Sequence, residues 1–135
     1  MTKKKTILIL GAGGLLGKVF FHKLGKIYNT IGFSHKINQD KKIFQTNYIN
    51  FSRKEKSIIK NSAIIINCIG ENSNETNMKK INIEILKKIA KEINIINKKK
   101  IFIHISTCGV YGNSNNLLIT ERTLPHPETV YSKTK

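Results

Sequence analysis

The stretch GAGGLLG, Gly11 to Gly17, sets four glycines directly behind an apolar run, TILIL (Thr6 to Leu10), and directly before a segment with helical spacing. Glycine loses more conformational freedom on folding than any other residue, so concentrating it at such a junction demands a reason. Two are available: a tight turn between strand and helix, or a surface where the backbone itself must approach a ligand. The unbroken apolar character of TILIL reads as a strand covered on both faces.

The rest of the chain continues this alternation. Leu15, Leu16, Val19, Phe20 and Leu24 fall at three- and four-residue spacings, which predicts a helix that Gly25 ends. A second strand is expected at Thr30 to Ser34 and a third around Ile43 to Thr46. Ser52 to Lys60 reads as a short helix, with Ser52 its cap and Glu55 in capping-box spacing. AIIINCIG (Ala63 to Gly70) repeats the opening pattern, an apolar run closed by glycine. The clearest helix runs from Asn77 to Asn97, with Met78, Ile81, Ile85, Ile89, Ile93 and Ile96 on one stripe. IFIHIS (Ile101 to Ser106) reads as a further buried strand. Strands alternating with helices specify a doubly wound, parallel α/β sheet, and 135 residues suit one domain.

The formal charge of +16 raises the question of nucleic acid. Arg53 and Arg122 are the only arginines, although arginine is the residue that grips phosphates and guanines in bidentate fashion, and the lysines are scattered among isoleucines and asparagines. The charge reads as a solvated surface without a specific nucleic-acid face. No apolar stretch is long enough to span a bilayer, and Cys68 and Cys108, with no export signal, read as reduced thiols; a cytoplasmic location is the expectation.

In sheets of this kind ligands bind at the carboxyl ends of the strands, where the strand order reverses. A glycine turn there lets the backbone close on a pyrophosphate, held by N–H groups and the partial positive charge of the following helix N-terminus. A Cβ would occupy the phosphate's place. Gly11, Gly14 and Gly17 fit G-x-x-G-x-x-G, whereas G-x-G-x-x-G fails at Leu16. The acidic residue that would take a ribose diol about twenty positions on is missing; Ser34, His35 and Lys36 stand there, and Asp40 lies beyond. A hydroxyl, an imidazole and an ammonium suit a 2′-phosphate, which favours NADP over NAD. At the far end, Tyr131 and Lys135 are four apart and share a face if helical. A phenol titrates near pH 10, and a neighbouring ammonium lowers that value, giving a group able to pass a proton to or from a substrate oxygen. Thr107, at the end of the IFIHIS strand, supplies a hydroxyl to hold that oxygen.

GAGGLLG, AIIINCIG, INIEIL, HISTCGVYG and YSKTK follow in the order and spacing of the extended short-chain dehydrogenase/reductase family, which the chain resembles along essentially its whole length. The resemblance implies a Rossmann-type fold and NAD(P)-dependent hydride transfer on a nucleotide-sugar, of the epimerase or 4-keto reductase kind. It implies Thr107, Tyr131 and Lys135 as the catalytic set, with Tyr131 and Lys135 also touching the cofactor. Leu15 and Leu16 would lie near the pyrophosphate, and Asn50 and Phe51 where the family often has an Asp-Leu pair near the adenine. Cys68, Ile69 and Gly70 would line the cofactor, and Asn82 would match an asparagine early in the long helix.

Cys108 and Gly109 stand where the dehydratases carry an acidic pair, which disfavours dehydration. The family continues into more sheet and a substrate lobe, so the chain is expected to be an N-terminal portion, inactive alone, of an enzyme that forms a homodimer. Two rival readings are a non-catalytic dinucleotide-binding sensor or assembly subunit, and a basic nucleic-acid-binding domain. His104, alternating with isoleucines, reads as a core or interface histidine and His22 as a surface one; no metal site is expected.

Overall fold

The computed structural model describes residues 5–95, 99–113 and 118–135. Five strands, β1 (Thr6–Leu10), β2 (Asn29–Ser34), β3 (Ile43–Gln45), β4 (Ile64–Asn67) and β5 (Ile101–His104), form one sheet in the order β3-β2-β1-β4-β5. Every pairing is parallel. Leu10 lies opposite Phe33 of β2 on one side and Asn67 of β4 on the other, so the strand order reverses at the carboxyl end of β1. The helices are α1 (Leu15–Gly25), α2 (Arg53–Asn61), α3 (Glu75–Met78), α4 (Ile85–Asn94) and α5 (Val130–Thr134), with a π turn at Lys79–Glu84 and a 3₁₀ turn at Cys108–Tyr111.

The chain divides into two compact units, Met1–Ile69 with Ile85–Ile105, and Gly70–Glu84 with Ser106–Lys135. The first contains the sheet. Alternate residues of β1 feed two apolar clusters: Leu8 and Leu10 pack with Phe33, Tyr48, Phe51, Ile59, Ile65 and Ile89, while Ile7 and Ile9 pack with Ala12, Phe21, Ile43 and Ile66. This is why Ile7 to Leu10 is apolar at every position, since each of these side chains has a covered face to enter, worth roughly 1.5–3 kcal/mol for a fully buried aliphatic residue. The capping box expected at Ser52 is present: Glu55 N–H donates to Ser52 Oγ and Ser52 N–H to Glu55 Oε2. At the other end of α2 the Lys100 ammonium donates to the Lys60 and Ser62 carbonyls, satisfying acceptors that a helix C-terminus leaves over.

Three expectations are corrected. Leu15, Leu16 and Val19 are not the packed face of α1: they are 85%, 50% and 47% exposed, and the helix is seated by Gly17 and Phe21 instead. Its first turn approaches the sheet by backbone contact, so large side chains there have nowhere to go but outward. The long helix is not uniform, because the π turn separates α3 from α4; Met78 and Ile89 are buried as the stripe predicts, whereas Ile96 and Asn97 lie outside the described residues. And β5 is not a fully buried strand: it forms the sheet edge, with Ile101 and Ile103 exposed while Phe102 and His104 are half-buried. Among the described residues no helix is long and apolar enough to cross a membrane.

Candidate functional site

The carboxyl end of β1 is organised by one close approach. A Cβ on Gly17 would strike the Gly11 carbonyl oxygen and lie 2.9 Å from the Ala12 Cα, so the first turn of α1 rests directly on the main chain leaving the strand. Gly11 itself sits at φ +79°, the left-handed region that favours glycine, and a Cβ there would meet the Cys68 and Ile69 main chain at 3.1 Å. Its carbonyl accepts the Gly14 N–H at 2.9 Å, while its own N–H donates to the Phe33 carbonyl and the Tyr48 hydroxyl, each at 2.9 Å. Gly14 is the N-cap of α1, without a side-chain cap, and no acidic residue stands in the first turn. The N–H groups of that turn are therefore presented without a competing carboxylate beside exposed Leu15 and Leu16, an arrangement suited to an anion.

Around this turn the other expected residues are placed unequally. Ser34 ends β2 buried, its Oγ accepting the Lys36 N–H at 3.1 Å and facing Gly13, whose Cβ it would exclude; His35 and Lys36 are exposed. Any polar recognition after β2 therefore falls to His35 and Lys36. Asn50 is exposed, with its N–H donated to Asn47 Oδ1. Phe51 enters the core against Phe33, ring centroids 6.4 Å apart, so its side chain belongs to packing and only its main chain remains to meet a ligand. Cys68 is half-buried beside the core cluster on the α1 side, and neither it nor Cys108 is in a disulfide. Asn67 binds the His104 ring at 3.0 Å through Nδ2 and accepts the Ile69 N–H through Oδ1, which fixes the start of the segment after β4.

In the second unit, Asn82 is buried on the π turn with its carboxamide fully engaged. Oδ1 accepts the Glu71 N–H at 2.8 Å, and Nδ2 donates to the Glu71 carbonyl at 3.0 Å and to Thr134 Oγ1 at 2.9 Å. Lys135 follows α5, and its Nζ is 3.1 Å from where a Cβ on Gly70 would stand. Tyr131 is half-buried in α5, whose start is fixed by a Thr129–Ser132 capping box. Thr107 caps the 3₁₀ turn, its Oγ1 accepting the Gly109 N–H at 3.3 Å, and Gly109 in turn faces Ser132 of α5. Thus Gly70, Asn82, Thr134 and Lys135 are gathered at one place, and the turn bearing Thr107 packs against the helix bearing Tyr131.

Two residues escaped the sequence reading. Tyr48 reaches the glycine turn from 37 positions away, a contact no local pattern announces. Burial pushes its phenol well above the ordinary value, against the lowering effect of the Gly11 N–H, so the hydroxyl stays protonated. Glu71 follows Gly70; Ser73 Oγ, Ser73 N–H and Asn74 N–H all donate to its carboxylate and hold its pKa at about 2. The run Glu71-Asn-Ser-Asn carried a signal for this, since short polar side chains favour such local bonds. A shallow groove lined by His22, Lys26, Asp40 and Lys42 lies at the C-terminal end of α1, away from Gly14.

Residues 7–135 match the NAD dependent epimerase/dehydratase family, and the chain belongs to it. Comparison with curated proteins finds no match. Among solved structures, a UDP-glucuronic acid 4-epimerase from Bacillus cereus in complex with NAD is similar at 22% identity and a TM-score of 0.78 over 96% of this chain and 48% of that one. A short-chain dehydrogenase/reductase superfamily protein from Agrobacterium tumefaciens with bound NAD gives 18% identity and a TM-score of 0.81, over 96% and 42%. TunA, an NAD dependent NDP-hexosamine 5,6-dehydratase of tunicamycin biosynthesis, gives 16% and 0.81, over 98% and 46%. The chain thus spans about half the length of these proteins, and at these identities they establish the Rossmann-type fold.

Two predictions follow from the geometry. In an ordinary helix, Gly17→Ala would stabilise by up to about 1 kcal/mol; here the new Cβ meets backbone that cannot rotate away, and denaturant unfolding should show a loss of about 2 kcal/mol. A gain in stability would refute the close approach. Glu71, lowered from 4.5 to about 2, stabilises its loop fully above the ordinary carboxylate range, and that contribution is lost as pH falls through about 2. Its side-chain carboxyl carbon should titrate by NMR with a midpoint near 2; a midpoint near 4.5 would show the bonds from Ser73 and Asn74 to be absent in solution.

Proposed function

We propose that this chain seats a nicotinamide dinucleotide on the Gly11–Gly17 turn and that the whole protein acts on a nucleotide-sugar as an epimerase or 4-keto reductase. The observation that carries the reading is the uncapped first turn of α1, held against the Gly11 carbonyl by the missing Cβ of Gly17. Family membership supports the cofactor class, and the UDP-glucuronic acid named for the Bacillus cereus epimerase supports the substrate class.

Each residue then has a defined task. The N–H groups of Leu15 and Leu16 hold the diphosphate, with Gly11 and Gly14 keeping the approach open. Ile69 and Gly70 line the path of the cofactor with their main chain, as do Asn50 and Phe51 at the adenine end. A nicotinamide held there would supply hydride transfer to and from a sugar carbon. Tyr131 takes the proton of the sugar hydroxyl as that carbon is oxidised and gives it back on reduction; Lys135 stabilises the phenolate and holds the ribose; Thr107 positions the oxygen. Asn82, already bonded at three points, serves by fixing Glu71 and Thr134 around Lys135.

With His35 and Lys36 exposed after β2 and no carboxylate there, the 2′-phosphate of NADP is the better fit. Fluorescence titration should give a lower Kd for NADPH than for NADH, with Lys36→Ala narrowing the gap; tighter NADH binding overturns this preference. In the whole protein, assayed with a panel of nucleotide-sugars, Tyr131→Phe should lower kcat by about 100-fold or more while cofactor affinity holds. Equal turnover would remove Tyr131 from the mechanism.

A further inference from the structure

The Gly11 N–H points into the protein, shared between the Phe33 carbonyl and the Tyr48 hydroxyl, so it is a hinge pin of the turn and not a ligand donor. Tyr48 is an unusual residue to supply that pin. It is 3% exposed, and at φ +57° it is the one non-glycine residue in the left-handed region among those described. That unfavourable backbone is maintained by a chain of bonds: Tyr48 N–H donates to Thr46 Oγ1 at 3.2 Å, and Thr46 N–H donates to the Ser34 carbonyl at 2.8 Å. The carboxyl ends of β1, β2 and β3 are tied together by this chain of bonds, in which the Tyr48 side chain makes the link to β1.

We propose that Tyr48 is a positioning residue for the dinucleotide seat: its hydroxyl holds the Gly11 amide and so fixes the turn that presents the first N–H groups of α1 to a diphosphate. Backbone held in a strained region by surrounding bonds is a feature of sites whose geometry must be set before a ligand arrives. Tyr48→Phe keeps the ring in the core and removes only the hydroxyl. The inference rests on the proposed dinucleotide reading for its effect on binding, and on the Gly11 amide alone for its effect on the turn, which keeps the two failures apart.

The test compares the full chain with Tyr48→Phe and with Ile59→Val, a change on α2 that trims the apolar cluster Tyr48 shares but removes no hydrogen bond to the turn. Loss of one net hydrogen bond should raise the Kd for NADH or NADPH about fivefold, shift the Gly11 N–H resonance and speed its hydrogen exchange. Ile59→Val should lower the melting temperature and do none of these. A Kd unchanged in Tyr48→Phe, or raised equally by Ile59→Val, overturns the positioning role. If the unaltered chain binds neither nucleotide, the functional reading fails, and Tyr48 is judged on Gly11 exchange: unchanged protection refutes its hold on the turn. Should Tyr48→Phe not fold, Thr46→Val, which removes the acceptor for the Tyr48 N–H, must also speed Gly11 exchange, and no change in it is equally fatal.

Discussion

A contact between two pieces of main chain, the Gly11 carbonyl and the first turn of α1 at Gly17, is what the rest of the candidate site depends on. It brings the helix N-terminus to the point where the strand order reverses, and only an absent side chain permits it. The consequences propagate outward. Because the helix is seated by backbone, Leu15, Leu16 and Val19 are left exposed, and the anchoring apolar contact moves one turn along to Phe21. Because Gly11 must turn at positive φ, its N–H is directed inward and requires buried acceptors, which Phe33 and Tyr48 supply.

How much of this the sequence disclosed depends on the range of the physics involved. Features set within a few residues were legible: the glycine register, the Ser52–Glu55 capping box, and the unbroken apolar strand that signals two covered faces. The parallel sheet followed from the alternation of elements, since strands separated by helices leave few topologies. Burial of individual side chains was less legible. Spacing placed Leu15, Leu16 and Val19 on the packed face because periodicity reports which residues share a side, and has nothing to say about how closely a backbone approaches it. Phe51 was assigned by likeness to a position near a ligand, yet an aromatic ring behind β2 and β3 has a larger gain in joining Phe33 in the core.

The contacts that escaped entirely were long-range and polar. Tyr48 to Gly11, Lys100 to the end of α2, and Asn82 to Thr134 span 37, about 40 and 52 positions, respectively. Each satisfies a backbone or amide group that would otherwise be buried or left over, which is an accounting that exists only once the fold has brought the groups together. The lysine excess also changes meaning here. Lys100 is a helix cap and Lys54 lies 4.2 Å from the Phe44 ring centre, so part of a charge that looks generic in composition is committed to local structure.

The two units are held by different means, and this bears on what each can do. The sheet-bearing unit has fourteen of the fifteen buried apolar side chains of the described residues, while Met78 is the one belonging to Gly70–Glu84 or Ser106–Lys135. There, order comes from the Thr129–Ser132 capping box, Asx-type bonds and the Asn82 carboxamide, and Leu118 and Leu124 remain almost fully exposed. Hydrogen bonds of this kind contribute only about 1 kcal/mol each once water competes, and a five-residue helix such as α5 has no cooperative stability of its own. The glycine turn is therefore built on a core that holds its geometry in advance of a ligand. Tyr131 and Lys135 sit where geometry is cheapest to disturb, so their placement depends on whatever further contacts order that segment.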